Sequence, residues 1–405
     1  MSFFAWIVTI VLATYLFEEL LEFLNNRARG GVVPAEIADL YNEEERGKQN
    51  AYQYEHYRLR FKEELLFIIF IIGAISTGLF GVIDRWIVGT TQSAIVHALL
   101  FFALLYILKE IISLPFSYYR TFVIEEKYGF NKSSRGTFFG DVLKGLALTA
   151  VIGGGVLALA TLFYLKTGAL FWVWGWVLVS GVSIFFAMFY TTFIAPLFNK
   201  LTPLSDGELR NKILDFAKRN DFAVKNILVM DGSKRSTKAN AYFSGLGNQK
   251  TIVLFDTLIT SMTTDEVVAV LAHEIGHYKM KHSRRQMVLG LLQTGVLFYL
   301  LSIFLIYPGF AQALGMEQSF YAGLLVFSFI FSPLFMIINL GAMVLSRKHE
   351  LEADRYAKER NLGTALGQSL KNLTKNNYSN PTPHPWYVFF KYSHPPTATR
   401  LKKLQ

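Results

Sequence analysis

Cysteine is absent from the 405 residues of this chain. Its absence excludes a disulfide framework and any metal site built from thiolates. Charged residues are scarce as well: they make up 17% of the chain, whereas a soluble domain usually has about 25%. Because 52% of the residues are hydrophobic, we expect much of the surface to face lipid or to line a space inside a membrane.

Long apolar runs support a membrane location. Seven runs approach or exceed the roughly 20 residues needed to cross the hydrocarbon core of a bilayer. They lie near positions 3–24, 65–88, 95–117, 142–166, 169–197, 287–310 and 320–345. No basic residue precedes the first run and no clear cleavage site follows it, so we interpret it as a retained span. The pattern predicts an all-α multi-pass membrane protein with seven transmembrane helices.

Basic residues outnumber acidic ones, 40 to 30, which gives a net charge of +10. They do not follow one face of the chain, so we expect no nucleic-acid partner. They gather instead in alternate connections, and the segments 89–94 and 311–319 contain none. Since cytoplasmic loops carry an excess of Lys and Arg, we predict the N-terminus outside and the C-terminus in the cytosol.

Two stretches are long enough to fold outside the bilayer, 198–286 and 346–405. Both fall on the predicted cytoplasmic side, whereas 1–197 and 287–345 are assigned to the membrane part. We therefore expect the chemistry of the protein to lie in the two cytoplasmic stretches.

The first cytoplasmic stretch has the pattern of a small α+β domain. Helical spacing at 206–220 is followed by a short apolar strand pattern at 226–230. Two further strand patterns, 241–244 and 251–255, are predicted to pair as a hairpin through Gly245–Lys250.

A capping box, Thr263 with Glu266, begins the next predicted helix, which runs through the sequence His273-Glu274-Ile275-Gly276-His277. Residues four apart share a helix face, so the two histidines can bind one ion together. The glutamate between them projects in a neighbouring direction. This is the HExxH pattern, in which two imidazoles bind zinc and the glutamate handles the proton of the attacking water.

A catalytic zinc ion needs a third protein ligand and an open fourth position. His282 comes only five residues after His277 and fits neither the longer metzincin spacing nor the same helix face. A predicted helix after the last span carries Glu350 and Asp354, four residues apart, so one can bind the metal while the other supports a ligand imidazole. Glu352 is expected to face elsewhere. The sequence thus predicts one zinc ion per chain.

Eight segments, in this order, carry a resemblance to a known family. They are Thr121–Lys132, Pro196–Lys200, Asp231–Ser236, Asn240–Phe243, Ile252–Thr257, His273–His277, Glu350–Asp354 and Ser393–Pro396. Over nearly its whole length the chain resembles the type I CAAX prenyl proteases, which are integral-membrane zinc enzymes. The resemblance implies seven helices around a large chamber, with the zinc site at its cytoplasmic end. It also implies removal of the last three residues after a prenylated cysteine, with a peptide or prenylated peptide as substrate and membrane lipid as surroundings.

The resemblance also implies roles for individual residues. The implied zinc ligands are His273, His277 and Glu350, with Glu274 as catalytic acid and base and Asp354 in support of a ligand. The implied substrate contacts are Asn240 for the peptide backbone, His394 for the scissile carbonyl and Arg400 for the substrate carboxylate.

Two rival functions remain open. A membrane quality-control zinc endopeptidase shares HExxH and the downstream glutamate, but it is shorter and has fewer spans. A transporter or receptor is disfavoured because the chain shows no internal repeat and HExxH would have no role. The eukaryotic members of the resembled family are longer, so size favours a bacterial inner membrane over the endoplasmic reticulum.

Overall fold

Helices dominate the structure, a computed structural model that describes residues 2–244 and 250–405. The N-terminal half contains α1 (Phe3–Ala28), α2 (Glu43–Ser76), α3 (Leu79–Val88), α4 (Ala94–Tyr119), α5 (Arg135–Leu148), α6 (Gly154–Thr167), α7 (Phe171–Phe189) and α8 (Ala195–Phe198). The C-terminal half contains α9 (Glu208–Arg219), α10 (Asp256–Ser261), α11 (Thr264–Lys279), α12 (His282–Phe304), α13 (Pro308–Gln312), α14 (Phe320–Lys358), α15 (Gly363–Asn376), α16 (Pro385–Lys391) and α17 (Thr397–Leu404). The strands are β1 (Leu201–Pro203), β2 (Val224–Met230), β3 (Ala241–Ser244) and β4 (Lys250–Phe255).

The membrane part is built from long apolar helical runs. In the described residues five runs are long and apolar enough to cross a bilayer: Phe3–Ala28, Ala94–Glu125, Arg135–Phe198, His282–Phe304 and Phe320–Lys358. The pair α2 and α3, bent by 65° at the break between them, makes a sixth if it counts as one span. The structure thus confirms the multi-pass helical class.

The predicted seventh span depends on the run Arg135–Phe198, which reverses direction at Gly168. This glycine has φ 51°, a left-handed value that ends α6 and starts the return. The rings of Phe163 and Trp174 lie 6.1 Å apart across the reversal, whereas residues eleven apart on a straight helix are separated by about 16 Å. Counted as two antiparallel legs, this run agrees with the break predicted at 167–168.

The extramembrane domain contains a four-stranded sheet of order β1-β2-β4-β3. Strand β2 runs parallel to β4, and the other two pairs are antiparallel. The predicted hairpin strands are neighbours in antiparallel register, with Ala241 opposite Leu254. Of their predicted turn, 245–250, the first five residues lie outside the described residues, and Lys250 is the first residue of β4. Because β3 is at the end of the strand order, one of its edges pairs with no strand among the described residues.

Helix α11 lies at the centre of this domain, where its apolar side packs against α9, α14 and α15. Gly276 allows α11 and α14 to approach closely. A Cβ atom at this position would lie 3.0 Å from Cβ of Tyr356 and 3.2 Å from Cα of Ala353. The glycine within HExxH therefore lets the helix that carries Glu350 pack directly against the two histidines.

The predicted domain boundary at 345/346 falls inside α14, which continues for 39 residues from Phe320 to Lys358. Its N-terminal part packs among the apolar helices, and its C-terminal part packs against α11 and α17. One continuous helix thus joins the membrane part to the extramembrane domain. The predicted domain limits stay a prediction.

Candidate metal centre

The capping box at the start of α11 is confirmed. The Thr263 hydroxyl accepts a hydrogen bond from the Glu266 amide, and the Glu266 carboxylate accepts one from the Thr263 amide. Fixing the helix start in this way also fixes the direction of its later side chains. His273 and His277 then stand one turn apart, with their Nε2 atoms 3.1 Å from each other.

Glu350 on α14 completes a group of three potential ligands. One of its oxygens lies 3.4 Å from Nε2 of His273, and the other lies 3.3 Å from Nε2 of His277. Ligand atoms around a tetrahedral zinc ion with bonds near 2.0–2.1 Å are separated by about 3.3 Å. One donor atom from each of the three residues lies within 4.8 Å of the others, so the three can converge on such an ion. The Oε2 atom of Glu350 is buried and has no hydrogen-bond partner among the described residues, as expected of a group placed to bind a cation.

His273 is held by a carboxylate on the other side of its ring. Asp354, one turn beyond Glu350, lies 2.9 Å from Nδ1 of His273. Burial by itself would lower the pKa of His273, but its hydrogen bond to Asp354 and the nearby Glu350 carboxylate raise that pKa to about 9 in the metal-free protein. Donation of the Nδ1 proton to Asp354 leaves Nε2 directed at the metal position.

Arg400 on α17 stabilises the same carboxylate. Its Nε and Nη2 atoms donate to the two oxygens of Asp354, at 2.9 and 2.7 Å, and its Nη1 lies 3.5 Å from Glu350. The guanidinium is buried, and its charge is balanced by the carboxylates beside it. The prediction that Arg400 binds the substrate carboxylate stays a prediction, and the structure gives this residue a second set of partners.

His277 also has supporting residues, and sequence analysis missed them. Nδ1 of His282 lies 3.1 Å from Nδ1 of His277, and Nε2 of His282 lies 2.9 Å from a carboxylate oxygen of Glu352. Neither residue belongs to the group of three donors, in line with the expectations that His282 is not the third ligand and that Glu352 faces elsewhere. The contact of His282 with His277 is the part that the sequence did not predict. The cause is Lys281, whose left-handed φ of 59° interrupts the helical path between α11 and α12 and turns His282 back against His277.

The two remaining predicted residues differ in their contacts with the metal group. Nε2 of His394, in the loop before α17, is 3.3 Å from Glu350, and its Nδ1 is 2.8 Å from the Ser393 hydroxyl. The ring is accessible, yet the surrounding protein removes part of its hydration and lowers its pKa. Asn240 is exposed at the start of β3 and makes no hydrogen bond to the metal group within the described residues.

Comparison with known proteins agrees with this geometry. Residues 22–200 match the family model for the CAAX prenyl protease N-terminal region of five membrane helices, and residues 203–405 match peptidase family M48. A CAAX prenyl protease 1 homolog from Oryza sativa subsp. japonica is 32% identical over 98% of this chain and 96% of that protein. CAAX prenyl protease 1 of Saccharomyces cerevisiae is 37% identical over 77% of this chain and 73% of its own length.

A solved structure gives the same result for the fold. The crystal structure of S. mikatae Ste24p superposes with a TM-score of 0.94 at 31% identity, and the match covers 100% of this chain and 99% of that one. The family match spans the membrane helices and the extramembrane domain together. The chain therefore belongs to the type I CAAX prenyl proteases of peptidase family M48, which are membrane-embedded metalloproteases.

Proposed function

We propose that this protein is a zinc endopeptidase that removes the C-terminal tripeptide from prenylated CAAX-type substrates. The observation that carries the proposal is the group formed by His273, His277 and Glu350, in which the two Nε2 atoms lie 3.1 Å apart and each lies 3.3–3.4 Å from one oxygen of Glu350. Two imidazoles, one carboxylate and no thiolate form a common ligand set for catalytic zinc. The names of the relatives support prenylated substrates.

Zinc bound to these residues supplies a Lewis acid that polarises the scissile carbonyl and makes water more acidic. A side chain of the protein must then transfer a proton from the attacking water to the leaving amine. Glu274 follows His273 directly on α11, so its half-buried carboxylate projects about 100° around the helix from that ligand. From there we propose that it accepts the proton of the attacking water and returns it to the leaving amine.

His394 is proposed to stabilise the negative charge that develops on the carbonyl oxygen. Because its pKa is lowered, the ring is neutral at neutral pH. When the Ser393 hydroxyl donates to Nδ1, the ring proton resides on Nε2. That N–H faces the metal group and is available to the developing oxyanion.

The open edge of β3 is proposed to bind the peptide as an added strand. Main-chain hydrogen bonds then give affinity and register with little demand on sequence. Asn240 precedes this strand, and its side-chain oxygen already accepts from the amide of Ala241. Its NH₂ group is therefore the part that we assign to a substrate carbonyl.

Cleavage is proposed to take place on the cytoplasmic side, with the N-terminus outside, as the distribution of basic residues predicts. The argument from size for a bacterial inner membrane fails, because the rice relative is matched over 96% of its length. The choice between that membrane and the endoplasmic reticulum stays a prediction.

The test compares a farnesylated CAAX peptide with its unprenylated twin, using detergent-purified protein. We expect chelator-sensitive release of the tripeptide from the farnesylated peptide, and a loss of about 10²- to 10⁴-fold in kcat for Glu274→Gln at unchanged zinc content. Full activity of Glu274→Gln would overturn the mechanism. Equal cleavage of both peptides, or preferential cleavage of unmodified misfolded membrane proteins, would favour the quality-control endopeptidase.

A further inference from the structure

We infer that His282 and Glu352 position the metal ligand His277 through a chain of hydrogen bonds. The inference deepens the proposed zinc site and rests on it. The hydrogen-bonded chain has two links. Nδ1 of His277 lies 3.1 Å from Nδ1 of His282, and Nε2 of His282 lies 2.9 Å from an oxygen of the Glu352 carboxylate.

Helix α14 supplies support for both metal histidines from two of its faces. Glu350 and Asp354 are four residues apart and share one face, which meets His273. His349 and Glu352 are three residues apart and share the neighbouring face, which meets His282. The rings of His282 and His349 stack with their centroids 3.9 Å apart, and both residues are only 1% exposed.

The positions of the protons follow from the partner of each nitrogen. Nε2 of His277 faces His273 and Glu350, so a metal ion there uses its lone pair and leaves the proton on Nδ1. That N–H needs an acceptor, which is the unprotonated Nδ1 of His282. His282 then carries its own proton on Nε2 and donates it to Glu352. Every N–H in the chain has one acceptor, and the carboxylate at its end selects the tautomers of both rings.

A competing interpretation is a second metal site, since one donor atom each of His282, His349 and Glu352 lies within 4.8 Å of the others. Both ring nitrogens of His349 are buried without a hydrogen-bond partner among the described residues. A metal on Nε2 of His282, however, would leave the proton on Nδ1, where it would face the Nδ1 proton of His277 across 3.1 Å. The stacked rings are also within 9° of parallel, so their in-plane lone pairs do not converge. We therefore assign His349 to packing against the ring of His282.

The test measures zinc stoichiometry and affinity for the full-length protein in detergent, by elemental analysis and by competition with a chromophoric chelator. The wild type should bind one zinc ion. Glu352→Ala and His282→Leu should lower the zinc affinity by about 10- to 100-fold, the usual effect of removing support from a ligand histidine.

Conservative variants distinguish positioning from packing. Glu352→Gln keeps an oxygen acceptor and should stay within about threefold of the wild-type affinity, because it preserves the hydrogen bond from His282. His282→Asn keeps an acceptor near the Nδ1 position and should recover most of the loss seen in His282→Leu. His349→Leu is the matched packing control and should also stay within about threefold, since the hydrogen-bonded chain does not include it.

Each remaining outcome has a definite meaning. Wild-type zinc affinity in Glu352→Ala and His282→Leu, or equal losses in Glu352→Gln and Glu352→Ala, would overturn the inference. If the wild type binds two zinc ions and His349→Leu binds only one, the second metal site replaces the positioning role inferred here. If His273→Ala abolishes zinc binding while the His282 and Glu352 variants bind normally, this inference alone fails. A wild type that binds no zinc would overturn the proposed function as well. Thermal unfolding of the variants with chelator present checks that they fold.

Discussion

Asp354 lies 2.9 Å from Nδ1 of His273 while both of its oxygens accept hydrogen bonds from the Arg400 guanidinium. All three side chains are buried, so one carboxylate orients a metal ligand and also balances a charge that water cannot solvate. The metal site and the stability of the extramembrane domain therefore depend on the same residue.

Asp354→Ala should lower the zinc affinity by about 10- to 100-fold, because the supporting carboxylate of a ligand histidine is removed. It also removes both hydrogen bonds from the buried Arg400 guanidinium to Asp354 and leaves it only the 3.5 Å contact with Glu350, at a cost of up to about 3–5 kcal/mol in the free energy of unfolding. Chelator competition and thermal unfolding measure the two effects. Asp354→Asn is the matched control, since it keeps an oxygen for His273 and should bind zinc more tightly than the alanine variant. Wild-type zinc affinity in both variants would contradict the orienting role.

Arg400→Lys distinguishes the two roles considered for this residue, which are to stabilise Asp354 and to bind the substrate carboxylate. Lysine cannot reproduce the paired hydrogen bonds to Asp354, so we expect kcat/KM to fall equally for a peptide with a free C-terminal carboxylate and for its C-terminal amide. If Arg400 instead binds the substrate carboxylate, the preference of the wild type for the free acid will shrink in the variant. The ratio of the two kcat/KM values decides the question.

Much of the site follows from local sequence, because HExxH needs only one helix and a spacing of four residues. The partner glutamate was expected because Glu350 and Asp354 share a helix face. The supporting pair His282 and Glu352 was not expected, because contact between them requires a left-handed Lys281 and the packing of α12 against α14. Neither feature has a signal in composition or periodicity.

Prediction of the membrane part from the sequence is limited in the same way. Apolar length marks where the chain can cross a bilayer, and the break at Gly168 coincides with the predicted connection. It does not mark where a helix ends: α14 continues beyond the last apolar run to Lys358, because its charged residues there are good helix formers. Hydropathy therefore predicted the span and missed the continuous helical connection to the metal site.

Gly276→Ala should destabilise the protein by about 1–3 kcal/mol, because the new methyl group overpacks the contact between α11 and α14. Separating these helices also moves Glu350 away from the histidines, so we expect weaker zinc binding. Gly290→Ala is the control, since a Cβ atom at that helical position has no neighbour within 4 Å among the described residues. Equal unfolding temperatures and zinc affinities for the two variants would show that the close approach at Gly276 has no energetic role.

The zinc affinity should depend on pH through His273. Its pKa is about 9 in the metal-free protein, because the hydrogen bond to Asp354 and the nearby Glu350 carboxylate outweigh the effect of burial. Below that pH both ring nitrogens carry a proton, and zinc must displace the one on Nε2. The apparent affinity should therefore rise about tenfold per pH unit as the pH increases toward 9, with release of one proton from this residue.

Chelator competition at several pH values measures that slope, and calorimetry in buffers of different ionisation enthalpy counts the protons. Asp354→Asn supplies the comparison: it weakens the interaction that raises the pKa of His273, so the rise in affinity should level off at a lower pH than in the wild type. A wild-type affinity that is constant between pH 7 and pH 8 would mean that His273 is already neutral there, and that the carboxylates around it orient the ring without holding a second proton on it.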